Sequence, residues 1–356
     1  MAALLRASAV AAAAAAAVVA AAAGLAACSG PAASGPSAGP VQDRSVLPYA
    51  LAGRHDVGWR RVVVARQDGT QFGATVYYPA VGAIENAAVA PLGGPFPAVS
   101  FGHGFLQKPS RYAETLRHLA SWGFVVIASE SEVGLSPDHQ QLALDMIAAL
   151  DFLEQGAGDP ASWLHGHVDV ESFGVSGHSM GGGASILAAA EDRRIHAVAN
   201  LAAAETRPSA VDAMARLEAP VHFIVGSQDA IVPPTSTRRM YQAGGPPKIF
   251  TSIVGGWHCG FESDPFPVGC DRGDMPRQEQ LAITAHLLTA FFLVHLAEDR
   301  GALPYVWGAE ASADPRMQRL ADPGAGAVPS TYRSSPSGRP TTTTSAALPT
   351  GSTSPG

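Results

Sequence analysis

The sequence predicts an α/β fold: a mostly parallel sheet covered by helices on both faces, with an antiparallel hairpin at its N-terminal edge. Three observations carry this. Short runs rich in β-branched and aromatic residues alternate with amphipathic stretches of helical length through residues 96–298, as in repeated strand–helix units. Two β-rich runs, 60–66 and 72–78, flank Asp68-Gly69, a hairpin signal. A glycine-rich turn at 177–183 separates one expected strand from the helix that follows it.

After a Pro/Gly loop, Phe96-Pro97-Ala98-Val99-Ser100-Phe101 reads as a strand buried on both faces. A helix is expected over 110–122, then Gly123 and a strand over 124–128. Residues 140–155 bring Leu142, Met146, Ala149, Leu150 and Leu153 onto one helical stripe. A short strand at 172–176 leads into the glycine-rich turn and a helix starting near Met180. Strands at 196–201, 221–225 and 249–254 follow, with a helix at 235–242 and a last helix at 278–298. Only about 17 residues separate the strand ending near Ala202 from the next one. No helical cap can be built from so few, so an open, shallow site is expected.

The chain has 356 residues, 15% of them charged, and a formal net charge of −7. It has no basic block, which argues against nucleic acid as a partner. Three cysteines are too few for a disulfide scaffold or a cysteine-rich zinc module. Residues 1–27 carry a single charge, Arg6, and an Ala-rich apolar run, the order of an export signal. The run ends Leu25-Ala26-Ala27-Cys28, which resembles a bacterial lipobox. Cys28 would then be lipidated, become the mature N-terminus and hold the protein to a membrane. An ordinary cleaved signal, a retained transmembrane helix and an organelle transit peptide remain open. Residues 28–45 read as a Gly/Pro/Ser linker, 46–310 as the folded domain and 311–356 as a disordered Ser/Thr/Pro-rich tail. Both ends are net positive, so the domain between them is more acidic than the whole-chain charge conveys. Polyanionic partners are disfavoured, and neutral substrates fit best. The expected protein is an extracytoplasmic monomer, secreted or held at the cell surface.

The chemistry is concentrated in Gly177-His178-Ser179-Met180-Gly181-Gly182-Gly183. Gly-x-Ser-x-Gly between a strand and a helix is the context of a nucleophile elbow, in which a strained turn exposes the serine hydroxyl. A serine needs a base, and the base needs an acid to orient it. Asp229 follows the strand 221–225, and His258 follows the last strand. Of 12 histidines, only His258 sits in such a loop. The expected triad is therefore Ser179, Asp229 and His258, in that chain order. His286 and His295 fall within the last helix and read as packed or solvated. An oxyanion needs two backbone donors. Met180 N–H, after the nucleophile, is one, and Phe105 N–H, in Gly102-His103-Gly104-Phe105, is the other. His165-x-His167 lacks the carboxylate or cysteine that would complete a metal site, so neither metal nor cofactor is expected.

These segments, together with Ala120-Ser121-Trp122-Gly123-Phe124-Val125-Val126-Ile127-Ala128 and Asp229-Ala230-Ile231-Val232-Pro233, resemble the α/β-hydrolase superfamily over roughly residues 46–310. Within it, the likeness is to cutinase-type polyester hydrolases and the chlorophyllase and platelet-activating-factor acetylhydrolase group. The resemblance implies an α/β-hydrolase fold and a serine carboxylesterase. The short interval after Ala202 adds that it has no cap domain, and the acidic domain that its esters are neutral. The resemblance also implies an acyl pocket lined by Phe105, Met180 and Ile231. An acyltransferase or chlorophyllase-like esterase on the same triad is the alternative, and a non-catalytic surface lipoprotein a further one. Two departures stand out. Polyester hydrolases carry a Trp after the strand that follows the nucleophile helix, whereas here Asn200-Leu201-Ala202-Ala203-Ala204-Glu205-Thr206-Arg207 has no aromatic; Trp257 could supply a different wall. The loop from His258 to Cys270 is also longer than in those enzymes. With Cys28 set aside as a lipid anchor, Cys259 and Cys270 remain to pair. In an exported protein they read as a disulfide pinning the His258 loop, with two free thiols as the alternative.

Overall fold

The computed structural model describes residues 47–265 and 269–324. The signal segment 1–27, Cys28 and the linker 28–45 lie outside the described residues, as does the chain beyond 324. Strands β1 (Asp56–Ala65) and β2 (Gln71–Ala80) form the expected antiparallel hairpin. Its turn is held by the Asp68 carboxylate, which accepts from the Thr70 N–H at 2.9 Å and the Thr70 hydroxyl at 2.6 Å. Strands β3 (Phe96–Gly102), β4 (Val125–Ser129), β5 (Val168–His178), β6 (Ile195–Leu201), β7 (Val221–Gly226) and β8 (Lys248–Ile253) pair in parallel. The sheet order is β1-β2-β4-β3-β5-β6-β7-β8, closed by β9 (Met317–Asp322), which runs antiparallel to β8. This matches the α/β-hydrolase architecture expected from the sequence.

Helices α1 (Ala113–Ser121), α2 (His139–Gly158), α3 (Met180–Glu191), α4 (Ala210–Ala213), α5 (Pro234–Ala243) and α6 (Arg277–His295) divide between the two faces. On one face Met146, Leu150, Leu187 and Met240 pack on Val175 and Phe223. On the other, Leu116, Leu119, Leu287 and Phe291 pack on Val99, Phe101 and Ile224. Each fully buried side chain of this size contributes roughly 1.5–3 kcal/mol. Asp138 caps α2, accepting from the N–H groups of Gln140 and Gln141. The hairpin is tied to α2 by a two-pronged ion pair: Arg66 Nε and Nη2 donate to the buried Asp145 at 2.6 and 2.8 Å.

Three sequence expectations change. The helix expected over 110–122 begins as a 3₁₀ turn, Pro109–Tyr112, and becomes α-helical only at Ala113. Strand β5 starts at Val168 rather than 172. Its polar first half (Asp169, Glu171) hides the pattern, and a register shift opposite β3 interrupts the ladder. The folded domain also runs past residue 310: β9 lies in the segment expected to be disordered. Residues 203–219 hold only α4 and a 3₁₀ turn, Met214–Arg216. Among the described residues, no helix is long and apolar enough to cross a membrane.

Candidate active site

The site lies at the carboxyl ends of β3, β5, β7 and β8, where parallel α/β sheets present loops to solvent. Ser179 joins β5 to α3 with φ 56° and ψ −117°, a strained geometry for a residue with a side chain. Glycines make the turn sterically feasible. A Cβ on Gly181 would fall 2.1 Å from Gly102 O, and one on Gly177 would fall 2.3 Å from Gly181 O. The nucleophile helix thus starts in direct backbone contact with β3 and β5.

Asp229 is 4% exposed, in the loop after β7. Its Oδ1 accepts from Ile231 N–H at 2.9 Å and Val232 N–H at 2.7 Å, and its Oδ2 lies 2.7 Å from His258 Nδ1. With a carboxylate as acceptor, Nδ1 carries the proton and Nε2 is left as the basic nitrogen. His258 opens the 3₁₀ turn His258–Phe261 after β8 and is 4% exposed. Ser179 and His258 line the same cavity of about 330 Å³, with no hydrogen bond between them among those of the described residues.

A second chain of hydrogen bonds lies beside His258. Gly104 N–H donates to Tyr112 Oη at 3.1 Å, and that hydroxyl lies 2.8 Å from His178 Nδ1. The His178 tautomer sets which of the two is the donor in that second bond. The His178 ring sits 4.4 Å from the His258 ring, centroid to centroid. Burial, followed by the charge of His258, holds His178 well below the usual histidine range. Burial, with the charge of Glu262, lifts the Tyr112 hydroxyl well above its own. Among the described residues, neither Phe105 N–H nor Met180 N–H has a hydrogen-bond acceptor.

Of the residues expected to bind substrate, Phe105 and Ile231 line the cavity, 46% and 45% exposed. Met180 does not: its side chain is buried in the core on the α2–α3 face. Nor does Trp257. Its indole is buried, donates to Met275 O at 3.1 Å and stacks against the Arg277 guanidinium. Cys259 and Cys270 are joined as a disulfide and both line the cavity.

Sequence reasoning missed Leu106, Gln107, His178 and the buried carboxylate Glu262 in the lining. His178 was inside the quoted motif, and its adjacency to Ser179 was the available signal. Glu262 sits within 4.8 Å of the two cysteine sulfurs, a grouping with metal-ligand composition. The sulfurs are bonded to each other, so they offer no thiolate to a metal. His165 and His167 join no such group among the described residues.

A family model described as PET hydrolase-like matches residues 31–259. Among curated proteins, the chain is 36% identical to a bis(hydroxyethyl) terephthalate hydrolase of Streptomyces coelicolor over 118 residues, 33% of each chain. It is 32% identical over 154 residues to cutinase est1 of Thermobifida alba, 43% of this chain and 46% of that one. It is 30% identical over 166 residues to lipase 1 of a Moraxella species, 46% of this chain and 48% of that one. The chain thus spans between a third and a half of the length of these curated relatives.

Proposed function

The chain belongs to the PET hydrolase-like family, and on that footing we propose that it is a serine carboxylic-ester hydrolase acting on neutral esters. Ser179 Oγ attacks the ester carbonyl while His258 Nε2 takes its proton. Asp229 holds the imidazole in the Nδ1–H tautomer and balances the imidazolium charge. Phe105 and Met180 N–H groups receive the oxyanion, both being free of protein acceptors among the described residues. His258 returns the proton to the leaving alkoxide, and an acyl-enzyme ester remains on Ser179. Water then attacks with His258 again as base, releasing the acid and restoring the serine. The observation that carries this reading is the Asp229–His258 hydrogen bond of 2.7 Å opening onto the same cavity as the elbow serine.

Phe105 and Ile231 flank the acyl position in this reading. Residues 200–207 contain no aromatic and Trp257 faces the core, which leaves Phe105 as the aromatic wall of the cavity among the described residues. With Phe105 alone and no second ring to sandwich an aromatic acyl group, aliphatic polyesters are favoured over aromatic ones. The export reading is kept with the proposal. The Cys259–Cys270 disulfide supports it, since such bonds persist in oxidising compartments; lipidation at Cys28 would add attachment to a membrane. The test is hydrolysis of p-nitrophenyl butyrate, an aliphatic polyester and an aromatic polyester by wild type and Ser179→Ala. The expected result is loss of at least about 10³-fold in kcat for the variant, with the aliphatic polymer cleaved faster by wild type. Equal rates for the two proteins would end the serine-esterase reading.

A further inference from the structure

Asp271 belongs to no motif and lies 13 residues beyond His258. Its carboxylate accepts three backbone N–H groups. Oδ2 receives those of Ala230 and His258, each at 3.0 Å, and Oδ1 receives that of Cys259 at 3.1 Å. Ala230 directly follows Asp229, so one carboxylate bridges the loop of the acid and the loop of the base. The same arm grips the acid loop again. Gln228 Nε2 donates to Asp274 Oδ2 at 2.7 Å, and Asp274 N–H donates to Gln228 Oε1 at 2.8 Å. Cys270, next to Asp271, is bonded to Cys259.

We propose that Asp271 is a positioning residue that sets the Asp229–His258 alignment by clamping the two loops together. The proposal rests on the triad reading above. The disulfide cannot do this alone, because it joins residues 259 and 270, both outside the acid loop. Asp271 makes that link through Ala230. Hydrogen bonds from neutral N–H groups to an ionised acceptor are about twice as strong as neutral pairs, and three converge here. Gln228 N–H donates to Gly256 O at 2.8 Å and Gly255 N–H to Ser227 Oγ at 2.8 Å, which holds the bases of the two loops together. Removing the carboxylate therefore leaves three N–H groups without acceptor and frees the tips, Ala230 and His258, to shift against each other. A displacement of the general base by about 1 Å costs on the order of 10²-fold in rate.

The test compares the full chain with Asp271→Ala, Asp271→Asn and Ser179→Ala. The readouts are kcat and KM on p-nitrophenyl butyrate, the melting temperature, and the far-downfield proton NMR resonance of His258 Nδ1–H. Asp271→Ala is expected to lose about 10- to 100-fold in kcat with KM changed by less than about threefold. The Nδ1–H resonance should shift or broaden. Asp271→Asn keeps one oxygen acceptor and is expected to fall between Asp271→Ala and wild type. A lower melting temperature with kcat and resonance unchanged would mean that Asp271 only stabilises the loops, and would overturn the proposal. If Asp271→Ala does not fold, unchanged kcat and resonance in Asp271→Asn overturn it equally. An inactive Ser179→Ala beside a fully active Asp271→Ala defeats this proposal and leaves the triad standing. A fully active Ser179→Ala defeats both.

Discussion

One hydroxyl ties the loop expected to carry the oxyanion donor to the layer beside His258, in addition to the His103 bonds to Ser131 O and Gly104 O. Tyr112 Oη receives Gly104 N–H and shares a hydrogen bond with His178 Nδ1, so Tyr112→Phe strands two buried polar groups. Each unsatisfied group costs about 1–3 kcal/mol, and Phe105 follows Gly104 directly. Tyr112→Phe is expected to lower stability by roughly 2 kcal/mol in urea unfolding and kcat by about tenfold, with KM nearly unchanged. A variant that lost stability but kept kcat would show that the loop needs no such tether. Tyr112 and Asp271 were illegible in the sequence because packing brings them to the site across 8 to 66 residues. Ser179, Asp229 and His258 were legible because each sits in a loop that ends a recognisable strand. Trp257 and Met180 show the limit of that logic. On a tight turn successive side chains diverge, so a neighbour of a reactive residue in sequence can face the core.

Helix α6 carries an acid sensitivity of its own. Burial pushes His295 down to about 4 and, together with the charges of Arg316 and His118, does the same to His286, against the opposing pull of Asp314. An unfolded histidine titrates near 6.5. Above that pH both states are neutral and the full stability is present. As the pH falls from 6.5 towards 4, the unfolded chain binds protons that the native helix refuses, and stability drops. Each histidine costs roughly 2 kcal/mol at pH 5 and about 3 kcal/mol below pH 4. Urea unfolding of wild type should therefore weaken steeply between pH 6.5 and 4.5, and His295→Phe should flatten part of that slope. An unchanged slope would exclude His295 as a contributor. Helix α6 itself was easy to read because its apolar residues run through five turns. Strand β9 was not. In Met-Gln-Arg-Leu-Ala-Asp only Met317 is buried, since an edge strand packs little and gains most of its order from the β8 ladder.

At the scale of the molecule, the layout of the sheet decides how substrate arrives. Lipases that carry a helical cap keep their apolar site covered until an interface displaces it, and their rates rise abruptly once substrate exceeds its solubility. Here the interval between β6 and β7, residues 203–219, contains only α4 and one 3₁₀ turn. The cavity walls Phe105 and Ile231 are already 46% and 45% exposed. No element of sufficient length stands over Ser179 at this crossover to be moved aside. The same economy that let the short interval be read from the sequence thus bears on kinetics. A site open in water has no conformational step to release at a lipid or polymer surface. Rates on a series of triglycerides or p-nitrophenyl esters are expected to saturate smoothly through the solubility limit, within about twofold of the curve extrapolated from dissolved substrate. A sharp rise at the onset of droplets would show that another loop covers the site in solution, and would locate the gate away from the β6–β7 crossover.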